Sequence, residues 1–370
     1  IYLFLIMDNE FIRFDEMFDL PCKIKKSNFI QKSKKKKTLP WVDKYRPKKI
    51  DDIIHQDEII KMLKETLKTG NLPHLLFYGP SGTGKTSTIL AMCRELFGPV
   101  KFKDRVIELN ASDERGINIV RKKIIQFAKM AISNNDPKYP SPPYKIIILD
   151  EADAMTTEAQ SALRKTMEDN SNITRFCFIC NYINQIISPI SSRCAKFRFR
   201  PLGKKSMKKK LLFIADKEDI KVNNDILEKL IELSHGDMRK SIMMLQNLKY
   251  IYKYKNKIDF DDVYHIGNYI PEKYLTNVWN NILLNDEVKS MKKIVDVSMD
   301  IRNNAYPLNN ILIQLTKYLL NEDRLNDKQK SIISYHFGNM ERIIIEGGNE
   351  YIQLINILSF IKGVSLGYDL

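Results

Sequence analysis

Cysteine, histidine and tryptophan are scarce in this 370-residue chain, with five, five and two copies. The cysteines are odd in number and scattered, which suits a reducing compartment rather than a disulfide framework. Cys177 and Cys180 form a lone CxxC in TRFCFICN. No second pair accompanies them and the run around them is apolar, so they read as buried strand residues rather than zinc or redox ligands. The histidines, at 55, 74, 235, 265 and 336, show no metal-ligand spacing. Long hydrophobic runs are missing as well. The opening IYLFLI is far too short to span a bilayer and acids follow at once, so no membrane partner is expected. The first Met comes only at position 7, as expected of a sequence that carries upstream translated residues.

Acid is also in short supply. The formal net charge is +15. Residues 21–38 hold eight lysines and no acid, and read either as a nuclear-targeting or polyanion-binding tail or as a disordered basic linker. Residues 1–20 carry −4, which leaves +11 for the chain from residue 39 onward. A folded body with that surplus is expected to meet polyanions.

Strand-like and helical runs alternate from about 70 to 200. HLLFYG, RVIELNA, KIIILD, TRFCFICN and AKFRFR are separated by helical stretches, the signature of an open α/β sheet. The four apolar residues in KIIIL suit a central parallel strand covered on both faces. Beyond Pro201 the pattern is helical to the end. The expected organisation is a basic, disordered extension over 1–38, an α/β domain over 39–201, a small helical domain over 202–262 and a larger all-helical domain over 263–370.

GPSGTGKT at 79–86 matches the phosphate-loop pattern GxxxxGK[ST] and lies between a strand and a helix, where that motif belongs. Gly79, Gly82 and Gly84 let backbone N–H groups turn toward phosphate, and the following helix offers its positive end. Gly79, Pro80, Ser81, Gly82, Thr83, Gly84, Lys85, Thr86 and Ser87 are the expected nucleotide-binding stretch. Lys85 is expected on the β- and γ-phosphates and the Thr86 hydroxyl on Mg2+. Asp150, ending the central strand, would complete the metal shell, and Glu151 beside it would polarise the attacking water.

These motifs, together with KYRP at 44–47, LNASDERG at 109–116, SSRC at 191–194 and GDMRKS at 236–241, resemble those of the small subunits of replication factor C, the eukaryotic sliding-clamp loader of the AAA+ class. The resemblance runs from about Leu39 to the C-terminus and is densest before residue 250. It does not include the extension over 1–38. It implies a P-loop AAA+ core with a helical lid and a helical collar, and ATP and Mg2+ as ligands. The implied partners are the other subunits of a hetero-pentamer, the sliding clamp PCNA and primer–template DNA, in the nucleus.

The same resemblance implies roles for single residues. Asn181 matches the sensor that orients the water or feels the γ-phosphate. Arg239 matches the second sensor, carried on the lid. Tyr45, Arg46 and the region of His55 match the segment around adenine. Arg193, which by itself reads as a surface arginine, matches the finger that enters a neighbouring subunit's ATP site. Arg115, Arg121 and Lys122 match or lie beside DNA-facing positions. Met92, Leu96 and Phe97 fit the region that grips the clamp, although they could equally pack in the core. A stand-alone AAA+ DNA motor and a nucleotide-locked scaffold subunit are the competing functional readings.

Overall fold

The computed structural model describes residues 6–7, 10–11, 39–53, 56–111, 117–130, 138–255, 257–283 and 287–367. The chain divides into two compact units, 1–39 and 40–370. In the first, expected to lack regular structure, β1 (Ile6–Met7) and β2 (Glu10–Phe11) pair antiparallel.

The second unit begins with a short helix, α1 (Trp41–Lys44), and then α2 (Asp57–Thr69), which Gly70 ends in the left-handed conformation. Five parallel strands follow in a βα alternation: β3 (His74–Tyr78), β4 (Val106–Asn110), β5 (Lys145–Asp150), β6 (Thr174–Cys180) and β7 (Cys194–Arg198). Their spatial order is β4-β5-β6-β3-β7. The intervening helices are α3 (Lys85–Arg105), α4 (Ile117–Lys129), α5 (Thr157–Asp169) and the single turn α6 (Ser188–Ser191).

Side chains of β5 alternate between two cores. Ile146 and Ile148 pack with Ile89, Leu96 and Phe97 of α3, and Ile147 and Leu149 with Ile124 of α4 and Leu163 of α5. A strand covered on both faces needs apolar residues at every position, which explains the run KIIIL. Cys177 and Cys180 are buried on opposite faces of β6, where burial pushes both thiols up, Cys180 to about 12.

Helix α3 is longer than the sequence suggests. Gly98, at φ 68° and ψ 170°, breaks it, and Pro99 restarts it for about two further turns. A side chain at Gly98 would stand 2.4 Å from the Tyr139 ring, so glycine is needed for the approach as well as the backbone.

Four helices then share one core: α7 (Lys204–Lys217), α8 (Asn224–Ser234), α9 (Met238–Lys255) and α10 (Phe260–Gly267). Val263, Tyr264 and Tyr269 lie in this cluster, and so does Trp41 of α1. The last five helices, α11 (Glu272–Leu283), α12 (Glu287–Asn303), α13 (Leu308–Leu320), α14 (Asp327–Ile345) and α15 (Glu350–Ser365), bury a separate core around Trp279, Leu315 and Ile357.

Candidate nucleotide site

Strand β3 ends at Tyr78 and the loop Gly79–Gly84 carries the chain into α3. Two of the glycines are dictated by close approach. At Gly79, φ 140°, a Cβ would lie 2.3 Å from the Phe199 carbonyl oxygen. At Gly82, φ 68°, it would lie 1.8 Å from a carboxylate oxygen of Asp237.

Lys85 is buried, and its ammonium donates to the carbonyl oxygens of Gly79 (2.6 Å) and Pro80 (2.9 Å) and to Asn181 Oδ1 (3.0 Å). Burial lowers its pKa, and the Asp150 charge works against that. Asn181 is brought there by β6, and its backbone N–H donates to Asp153 Oδ2 at 2.9 Å. Asp153, in the DEAD run, has the same carboxylate oxygen 3.3 Å from the Tyr182 N–H, and so fixes the turn that presents Asn181.

Thr86 Oγ1 donates to Asp150 Oδ2 at 2.7 Å. A hydroxyl and a carboxylate at the head of α3 and the tip of β5 are the hard oxygen donors that Mg2+ takes, so the donor set fits that ion. Glu151 follows with φ 53°, its side chain exposed, at the carboxyl end of the central strand.

The lid closes over this loop. Asp237 Oδ1 accepts from the backbone N–H groups of Arg239 (2.7 Å) and Lys240 (3.2 Å) and so caps α9. Its other oxygen accepts from Ser81 Oγ at 3.2 Å, and the Met238 N–H donates to the Gly82 carbonyl at 3.3 Å. Thr83 Oγ1 donates back to the Pro80 carbonyl. Arg239, in the first turn of α9, joins Tyr45, Arg46, Gly82, Ser87 and Met238 in lining a cavity of about 290 Å³.

Tyr45 donates its hydroxyl to Glu218 Oε1 (2.6 Å), and Lys44 and Lys249 pair with the same buried carboxylate. Arg46 instead donates from Nε to Ser87 Oγ at 3.1 Å. Two adjacent residues are thus tied to different bodies, one to the lid and one to the sheet. Asp153, Asp237 and Glu218 are not read as site residues from the sequence. Asp237 does lie inside the quoted GDMRKS and Asp153 two residues beyond Glu151, whereas no local pattern marks Glu218.

Arg193 stands apart from these groups. It immediately precedes β7, whose first residue Cys194 is in register with His74 at the start of β3. The phosphate loop follows the other end of β3. A strand of this length separates the two by roughly 16 Å, more than an arginine side chain reaches. The guanidinium donates from Nη1 to the Pro189 carbonyl oxygen (2.7 Å) and pairs through Nη2 with Glu168 Oε1 (2.7 Å).

Met92, Leu96 and Phe97, open to clamp contact or core packing on the sequence, are fully buried against the sheet in this chain. The burial has a simple physical cause: α3 lies on the sheet, and its apolar positions are consumed by that packing. Val100, just after the kink, is the large apolar group of ELFGPV that stays outside. Lys122 is exposed on α4, and Arg121 is carried on the same helix. Arg115 and His55 lie outside the described residues.

Three family descriptions match the chain in order. "ATPase family associated with various cellular activities (AAA)" covers 75–202, "RCF1/5-like, AAA+ ATPase lid domain" covers 209–249 and "Replication factor C C-terminal domain" covers 270–359. Replication factor C subunit 2 of Schizosaccharomyces pombe is 45% identical over 329 residues, 89% of this chain and 95% of that one. Replication factor C subunit 4 of Homo sapiens is 45% identical over 88% of both chains. The small subunit of Archaeoglobus fulgidus is 41% identical over 87% of this chain and 97% of its own. Core, lid and collar are all present; the AAA+ core makes the chain an ATP-hydrolysing enzyme and implies the binding of ATP and Mg2+. The chain therefore belongs to the replication factor C small-subunit family of AAA+ ATPases.

Proposed function

We propose that this chain is an ATP-hydrolysing subunit of a hetero-pentameric clamp loader that opens the sliding clamp PCNA and places it on primer–template DNA in the nucleus. Its relatives are named replication factor C, and the wording LPWVDKYRP and ELFGP favours the type of the human fourth subunit. The ATPase domain is proposed to run from 39 to 201 and the lid from 202. The lid–collar boundary is proposed at 269 rather than 262, because α10 buries its apolar face with the lid.

The observation that carries this reading is the separation of Arg193 from its own phosphate loop. A guanidinium at the amino end of the strands has no use at a site on their carboxyl end, but it suits a neighbour's site. The chain's own residues supply the rest. Lys85 and Asn181 are set to meet the γ-phosphate, Glu151 to polarise water, and Arg239 to approach from the lid. Tyr45 and Arg46 flank the cavity where a base would lie. Thr86 and Asp150 would hold Mg2+, which neutralises phosphate charge when bound. Arg121, Lys122 and Arg115 are proposed to follow the DNA backbone, so binding should weaken with salt.

Turnover by this chain mixed with its four presumed partners, with and without clamp and primed DNA, tests the proposal. The expected result is weak activity alone, strong stimulation by the full set, and a ~10^3–10^5-fold loss at the served site with Arg193→Ala. Full turnover by the isolated chain, indifferent to clamp and to Arg193, would sink it and leave an independent motor.

A further inference from the structure

We infer that Glu168 is a positioning residue that parks the trans-acting arginine, holding Arg193 away from the neighbouring subunit's γ-phosphate until assembly, clamp and DNA bring that phosphate into competition. The inference rests on the finger reading of Arg193 given above.

The geometry is specific. Helix α5 runs back along the sheet, so its last turn comes to the same end as the start of β7. There Glu168 Oε1 accepts from Arg164 Nε at 3.0 Å, one helical turn earlier, and from Arg193 Nη2 at 2.7 Å. Arg193 Nη1 is taken by the Pro189 carbonyl of the preceding turn. Both terminal nitrogens of the guanidinium are thereby engaged. Each keeps a second N–H, so the two contacts act by fixing where the guanidinium stands rather than by exhausting its donors.

Arg164 has the complementary task of fixing the carboxylate. Its hydrogen bond is the leading cause that holds the Glu168 carboxyl below the usual carboxylate range, with the Arg193 charge adding to it. The acceptor is therefore ionised at neutral pH. Two arginines share one carboxylate oxygen, so Arg193 holds only part of an already committed acceptor.

The strength of the hold follows from exposure. Arg193 and Glu168 side chains are 38% and 42% accessible. An ion pair that open to water is weak and salt-screened, and is easily outcompeted by a multiply charged phosphate. A buried pair in the same place would lock the finger permanently. The contact is therefore sized to suppress idle hydrolysis slightly while leaving the stimulated rate intact.

The test uses the complete assembled complex carrying Glu168→Gln, Arg193→Ala, or both, with ATP turnover followed at low and high salt. Glutamine keeps the shape and loses the charge. With clamp and DNA absent, Glu168→Gln is expected to raise kcat by up to about fivefold, the size an exposed pair allows. The stimulated rate should be unchanged, the rise should shrink at high salt, and it should vanish in the Arg193→Ala background. If Arg193→Ala abolishes stimulation but Glu168→Gln leaves basal turnover unchanged or lowers it, the parking role is overturned and the finger stands. A rise that persists without Arg193 overturns it too. If Arg193→Ala itself has no effect, the finger reading fails and this inference goes with it.

Discussion

The two ends of the parallel sheet are built on opposite principles. At the carboxyl end, buried Lys85 has three acceptors, Thr86 bonds Asp150, and the cap of α9 rests on the phosphate loop. Lys85, Thr86 and Asp237 are each held by another group of the same site. At the amino end, Arg193 is exposed and held by one shared carboxylate oxygen and one carbonyl. On the function proposed above, the first arrangement is a receptor pre-shaped for a ligand, and the second a tool kept outside for another molecule. A sheet one strand-length thick is what keeps them independent.

That separation can be broken or sharpened by substitution. Arg193→Ala should have the largest effect, the ~10^3–10^5-fold loss of turnover at a partner's site, while this chain's own ATP affinity is unchanged. Equilibrium nucleotide binding to the isolated chain checks it, and a weakened affinity would mean the two ends are coupled. Lys85→Ala should do the reverse, removing a charge-assisted contact and lowering this chain's ATP affinity about 10- to 200-fold. A smaller effect follows from Gly82→Ala, whose Cβ would meet Asp237 in a left-handed backbone. It should cost about 1–3 kcal/mol in denaturant unfolding. Gly84→Ala, with nothing within 4 Å of its Cβ, should carry the backbone strain alone and so lose less.

The smallest expected effect concerns the lid side. Burial acts to raise the Glu218 carboxyl, but hydrogen bonds from Lys249, Lys44 and Tyr45 outweigh it and hold the group down to about 2, against an ordinary value of 4.5. A carboxylate depressed by folding stabilises fully above its unfolded value and less as pH falls through the folded one. Native protein should therefore lose this contribution as pH drops from 4.5 toward 2. Glu218→Gln should melt lower at neutral pH and show a shallower acid limb, readable in thermal unfolding across that range.

How much of this was legible in the sequence depended on how local each feature is. The phosphate loop and the ends of β3, β5 and β6 were readable because backbone chemistry fixes them within a few residues. The position of Arg193 was not. Its distance from the loop is set by the register of β7 on β3, residues about 120 apart in sequence, which no short pattern encodes. Met92, Leu96 and Phe97 were open to both readings because α3 is buried nearly all round and shows no polar face to mark a surface. Tyr45 could be linked to the base by resemblance, but its packing on the lid, beside Trp41, is long-range. The extra lid helix α10 was missed because its eight residues sit at a boundary where one helix follows another.

The divided loyalty of Tyr45 and Arg46 has a mechanical consequence. One is bonded to Glu218 beside α7 and the other to Ser87 on α3. The peptide between them is therefore a strap across the hinge, with both buckles fastened. A strap of fixed length limits how far the lid can swing before one fastening opens. The Arg46–Ser87 bond is single and 3.1 Å long, whereas Glu218 gathers three donors. Under load the sheet-side buckle should slip first, and the Tyr45 wall of the cavity should leave with the lid.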